Sequence, residues 1–100
     1  MRDRSPIAVA VTADGRRCVV ANYTSGSVAL VDLVHSKVIA EQPCGAGPSD
    51  LVWVDDQTVL VCLQSEDSVA FLRIEGDHIS ITKQLPVGDE PIAIAILRAK

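Results

Sequence analysis

Apolar and polar residues alternate in blocks along this chain, and the blocks repeat. Residues 7 to 12 form an apolar run without helical spacing, and Asp14-Gly15 follows as a two-residue hairpin signal. Arg17 to Asn22 is predicted as the second strand. Tyr23-Thr24-Ser25-Gly26 has turn chemistry, with Gly26 free to take a positive φ. Val28 to Leu33 is the third strand, Val34-His35-Ser36 the next turn, and Lys37 to Gln42 the fourth strand. Four strands joined by short turns predict one antiparallel meander.

From Pro48 the pattern starts again. P-S-D-L-V-W-V-D-D-Q-T-V-L-V-C-L leads into S-V-A-F-L-R-I, and Pro91 opens a third copy as P-I-A-I-A-I-L. The period is 42 residues from Pro6 to Pro48 and 43 from Gly45 to Gly88. The copies differ in their turns: the first shortens at Asp55-Asp56, and Glu75 to His78 adds about two residues to the third. Length changes confined to turns are what a structural repeat shows.

A four-stranded unit at this period predicts an all-β chain: a β-propeller segment of about two four-stranded antiparallel blades plus the inner strand of a third. Residues 1–5 lead in, 6–47 and 48–90 are the two blades, and 91–100 begin the incomplete one. Each blade packs both faces against neighbours, so its strands stay apolar without alternation. Ala8, Ala10, Ala93 and Ala95 keep the inner strands slim where blades converge. A two-sheet sandwich is the competing fold.

The motifs D-G-R-x-x-V-V-A-N (Asp14 to Asn22), S-V-A-L-V-D-L (Ser27 to Leu33) and G-x-x-P (Gly45 to Pro48, Gly88 to Pro91) resemble the YVTN-type repeat. That repeat builds seven-bladed propellers such as YncE-like, surface-layer and lactonase-like proteins. The second copy departs from it at Leu60-Val61-Cys62-Leu63, where the Asn is absent. The resemblance implies a blade architecture that serves many unrelated functions, often in exported proteins.

Composition narrows the picture. Apolar residues make up 48% of the chain while Phe, Trp and Tyr occur once each, so the core is aliphatic. The net charge of −4 is dispersed and no basic run occurs, which argues against a phosphate-tracking nucleic-acid surface. No apolar run reaches the length of a membrane span, and no signal-peptide pattern opens the chain, leaving its compartment undefined. Cys18, Cys44 and Cys62, at spacings of 26 and 18, match no zinc or redox pattern and read as buried thiols.

Two blades and a strand leave open sheet faces, so the chain is expected to need remaining blades or self-association to close a ring. Three copies would supply about seven blades. The expected ligand face is formed by the loops between blades and by the second-to-third strand turns. These offer Tyr23, Thr24, Ser25, Cys44, Asp50, Glu66, Asp67, Asp89 and Glu90, an acidic rim suited to a cation or a basic partner.

Asp50 stands where the other copies have Ala8 and Ala93, which makes it the candidate channel contact, or else a turn cap. Trp53 reads as filler between blades, His35 and His78 as exposed turn residues, and Asn22 and Asp32 as structural hydrogen-bonding groups. No haem-attachment, hydrolase-elbow, zincin or phosphate-loop motif is present, and no cofactor is expected in this stretch. The expected function is a non-catalytic binding or scaffold module for a protein, peptide or small ligand. The alternative is part of a propeller enzyme, a lactonase-like hydrolase or a haem-dependent oxidoreductase, with its catalytic residues in other blades.

Overall fold

The computed structural model describes residues 6–86. The strands are β1 (Pro6–Val11), β2 (Arg17–Asn22), β3 (Ser27–Asp32), β4 (Lys37–Pro43), β5 (Pro48–Trp53), β6 (Thr58–Leu63), β7 (Ser68–Glu75) and β8 (His78–Pro86). They form two four-stranded antiparallel meanders, β1-β2-β3-β4 and β5-β6-β7-β8. The expected strand from Pro91 onward lies outside the described residues.

The repeat holds down to individual irregularities. The register breaks between Pro6 and Ala8 in the first sheet and between Pro48 and Asp50 in the second. It breaks again between Leu30 and Val31, and at the equivalent Phe71 and Leu72. Bulges at matching places bend both sheets alike. The two blades are one design used twice.

Two turns differ from the sequence expectation. Asp14-Gly15 is not a two-residue hairpin: the Thr12 N–H donates to the Arg17 carbonyl (2.9 Å), leaving residues 13–16 as a four-residue loop. Gly15 takes φ +72 there, and the Asp14 carboxylate accepts from the Arg16 N–H at 2.9 Å and the Thr12 hydroxyl at 2.7 Å. That local bonding stabilises the wider loop better than a tight turn would. Conversely, the two extra residues of the second copy do not enlarge its third turn. Glu75 pairs with His78, so Gly76-Asp77 is the two-residue turn and the added residues lengthen the ladder.

Alternation along the strands divides each sheet into two apolar faces. Val19, Val28 and Leu30 of the first sheet, with Cys44, meet Val59, Val61, Leu63, Ala70, Leu72, Ile74 and Ile79 of the second in one buried cluster. Leu51 and Trp53 pack against it. The Trp53 indole N–H donates to the Ala10 carbonyl (3.1 Å), filling the gap between the two inner strands as its position suggested. The opposite face of the second sheet carries Val52, Leu60, Cys62 and Val69, with Phe71 alongside. The opposite face of the first sheet leaves Val9, Val11 and Val38 60%, 52% and 61% exposed.

Leu72→Ala is expected to lower stability by about 2–5 kcal/mol, the cost of a cavity in a packed core. Val38→Ala should change it by less than about 0.5 kcal/mol. Urea unfolding of the two variants checks the contrast.

Candidate functional site

The end of the molecule carrying the β2–β3 and β6–β7 turns and the β4–β5 connector holds most of the residues singled out by sequence. Both turns reverse through a left-handed residue, Gly26 at φ 65 and Asp67 at φ 49 in the equivalent seat. Asp tolerates this region better than most non-glycine residues. Ahead of Asp67, Gln64–Glu66 winds into one turn of 3-10 helix.

The connector threads between these turns. Gly45 has φ +128 and Gly47 φ +70. A Cβ on Gly47 would collide with the Ser65 side chain and lie 2.9 Å from the Ser65 nitrogen; one on Gly45 would lie 2.7 Å from Leu63 Cδ1. Gly45, the glycine of the G-x-x-P motif, and Gly47 within it are therefore favoured by close approach as well as by conformation. The Cys44 N–H donates to the Gly26 carbonyl, and the Gln64 N–H donates to the Gly47 carbonyl, each at 2.9 Å.

Side chains tighten the same junction. Glu66 accepts from the Ala46 N–H and from Gln84 Nε2, the latter at 2.9 Å. The Tyr23 hydroxyl and the Ser65 hydroxyl, from the equivalent turn of the next blade, are 3.2 Å apart. Ser27 Oγ donates to Glu41 (2.7 Å) and also lies 2.8 Å from Ser25 Oγ, with the buried Asn22 amide reaching it at 3.5 Å. In the second sheet Ser68 and Gln84 take the places of Ser27 and Glu41 (3.2 Å).

Of the rim residues, Tyr23 and Glu66 are brought together as parts of this junction. Asp67 is exposed beside them, and its N–H donates to the Gln64 carbonyl. Asp50 is exposed on β5 opposite Cys62 and makes no hydrogen bond or ion pair among the described residues. The turn-capping role considered for it is not seen. Asp89 and Glu90 lie outside the described residues. Cys44 does not belong to the rim: it is 3% exposed and turned into the core between the blades.

All three cysteines are free and buried. Burial, with the Glu66 charge second, pushes the Cys44 thiol up to about 11. Burial, with Asp50 second, pushes Cys62 up to about 12. Burial also raises Cys18. These thiols stay protonated and unreactive near neutrality.

At the opposite end, the first turns of the two blades flank an open groove of about 700 Å³ that sequence patterning did not suggest. Trp53, Val11, Asp14, Arg17, Asp55 and Asp56 are among its walls. Asp14 and Asp55 are held below the ordinary carboxylate range, first by the N–H groups of Arg16 and Gln57 in their own turns. Arg17 Nη1 donates to the Gly76 carbonyl (2.6 Å). Most of its polar groups are thus engaged in holding turns. His35 sits on a neighbouring turn, its Nδ1 2.8 Å from Asp32, whose carboxylate also accepts from the Val34 and His35 N–H groups. Among the described residues no three His, Cys, Asp or Glu side chains converge as a metal site.

No protein-family model matches this chain, and no curated protein does. Solved structures do. Hydrazine synthase of Kuenenia stuttgartiensis superposes with a TM-score of 0.80 at 27% identity, over 89% of this chain and 25% of that one. The dihydro-heme d1 dehydrogenase NirN gives 0.67 at 29%, over 85% and 17%. The periplasmic gluconolactonase of Pseudomonas aeruginosa gives 0.73 at 19%, over 84% and 26%. With the two equivalent sheets packed face to face, these likenesses define the chain as part of a β-propeller. It spans about a quarter or less of each of those three chains.

Gly47→Ala should destabilise the protein by at least about 1–2 kcal/mol, the cost of a left-handed alanine before any clash. Chemical denaturation tests it. The thiols set a separate alkaline limit. An unfolded thiol loses its proton near 9.0 whereas folded Cys62 keeps it to about 12. Its contribution is therefore complete below pH 9 and falls away as pH rises towards 12. The urea midpoint should drop across that window, and Cys62→Ala should flatten the drop.

Proposed function

We propose that this chain is a pair of adjacent blades from a larger propeller, of the YVTN or YncE-like kind, serving as a non-catalytic binding or scaffold module. The observation that carries the reading is the interlocked rim. Tyr23, Glu66 and both connector glycines are committed to holding two loops in one shape, while Asp50 and Asp67 remain exposed beside them. A rigid loop face with free carboxylates suits recognition of a cationic group by a preorganised surface. Asp50, on the first strand of its blade, would face the central channel of a closed wheel. Glu66 acts by positioning, and Asp50 and Asp67, with Asp89 and Glu90 from the following connector, would make the contacts.

A second reading, part of a propeller enzyme with its catalytic groups in other blades, draws support from the two structures at 27% and 29% identity. Both are named as enzymes. Among the described residues, Asp50 is the channel carboxylate such an enzyme could draw on. Remaining blades, or further copies, would close the ring in either reading.

Titration calorimetry with a hepta-lysine peptide tests the first reading. Asp50→Asn and Asp67→Asn should each weaken binding several-fold while leaving the unfolding free energy from urea denaturation within about 0.5 kcal/mol of the parent. Absence of binding by the parent chain, or binding indifferent to both changes, would remove the acidic rim as a recognition face.

A further inference from the structure

The equivalence of the two sheets allows their faces to be compared position by position. On the face that the first sheet turns to the second, the register aligns Ala10, Val19, Ala21, Val28 and Leu30 with Val52, Leu60, Cys62, Val69 and Phe71 of the second sheet. The second sheet's residue is larger at four of these five positions and equal at the fifth. On the opposite face, Val9, Val11, Cys18 and Val31 align with the larger Leu51, Trp53, Val59 and Leu72, while Val20 and Ala29 align with residues of the same type, Val61 and Ala70.

The interface within the chain therefore joins a small face to a large one. Val19, Val28 and Leu30 seat against the cluster of Val59, Leu63, Leu72 and their neighbours, with Leu51 and Trp53 at its edge. Interiors pack to a nearly constant density, so bulk missing on one side of such an interface has to be supplied by the other.

We propose that the open face of the first sheet, around Val9, Val11 and Val38, seats a further propeller blade whose contact face is bulkier than the first sheet's own. At the positions of Val19 and Leu30 that blade carries Leu- and Phe-sized residues, as the second sheet does. The inference rests on the larger-wheel reading and adds which kind of blade comes next to this one. Its basis is continuity with the interface already present. The second sheet's equivalent face is covered by a blade; the first sheet's has the same register and apolar character with less volume.

The size match can be tested on the full 100-residue chain by moving the inferred interface into the existing one. One variant carries Ala10→Val, Val19→Leu and Leu30→Phe, giving the first sheet a large face. A second carries Leu51→Val, Trp53→Val and Leu72→Val, giving the second sheet a small one. Each alone should lower the urea midpoint, the first by overpacking and the second by leaving cavities. Combined, they should recover most of the loss. Losses that simply add would overturn the size match.

Binding of anilinonaphthalene sulfonate reads the open face independently. The dye should bind the parent chain, and Val9→Lys with Val38→Glu should abolish most of that binding. Dye binding unaffected by those changes would remove the open face, and the larger-wheel reading with it. A failed graft beside a dye response that Val9→Lys and Val38→Glu do abolish would overturn the size match alone.

Discussion

Everything in this molecule depends on burying one aliphatic sheet face against another. A four-stranded meander has two apolar faces and no means of covering either by itself. The first sheet covers one face of the second, and that contact makes Leu30, Leu63 and Leu72 fully buried. The remainder of the fold follows from keeping the two sheets at the spacing and angle this contact needs. Bulges at matching places bend both sheets the same way, so their surfaces stay parallel enough to interdigitate. Trp53 closes the remaining gap between the inner strands with its ring and ties it with one hydrogen bond.

The connector enforces the same geometry from the chain side. Gly45 and Gly47 let the backbone pass within contact distance of Leu63 and Ser65, where any side chain would push the blades apart. The carbonyls of Gly26 and Gly47 each take up an N–H from the adjoining segment, so the close passage leaves these polar groups paired. Glu66 then fixes the connector by bonding Ala46 and Gln84 together. A functional face built here inherits its rigidity from packing, because the groups that shape it are the groups that hold the blades in phase.

Much of this was legible in the sequence, for a physical reason. Strand runs, turn glycines and the G-x-x-P spacing are local signals, and doubling them raises their weight because both copies must fold alike. Asn22 and Asp32 could be read as structural polar groups from their places at the strand ends. Turn detail was less legible. Asp14-Gly15 has hairpin composition, yet the Asp14 carboxylate favours a wider loop by bonding two groups within it. The extra residues after Ile74 could have entered either the loop or the ladder, and only the Glu75–His78 pairing decides. Cys44 was misplaced because its side-chain direction depends on the connector's unusual φ values, which no periodicity reports.

The candidate site was legible in location more than in role. Composition marks Tyr23, Glu66, Asp67 and Asp50 as polar residues at one end, without distinguishing those spent on structure from those left over. The distinction is geometric. Glu66 accepts from the Ala46 backbone N–H, and Tyr23 faces a serine 42 positions further on, in the equivalent turn of the next blade. Asp50 stands where the first blade has Ala8 on its inner strand, and it makes no hydrogen bond or ion pair among the described residues. On a strand whose Leu51 and Trp53 pack against the core between the blades, the Asp50 carboxylate is no part of that cluster. Packing therefore separates Asp50 from Tyr23 and Glu66: those two are spent on the junction between the blades, and Asp50 is left exposed on its strand.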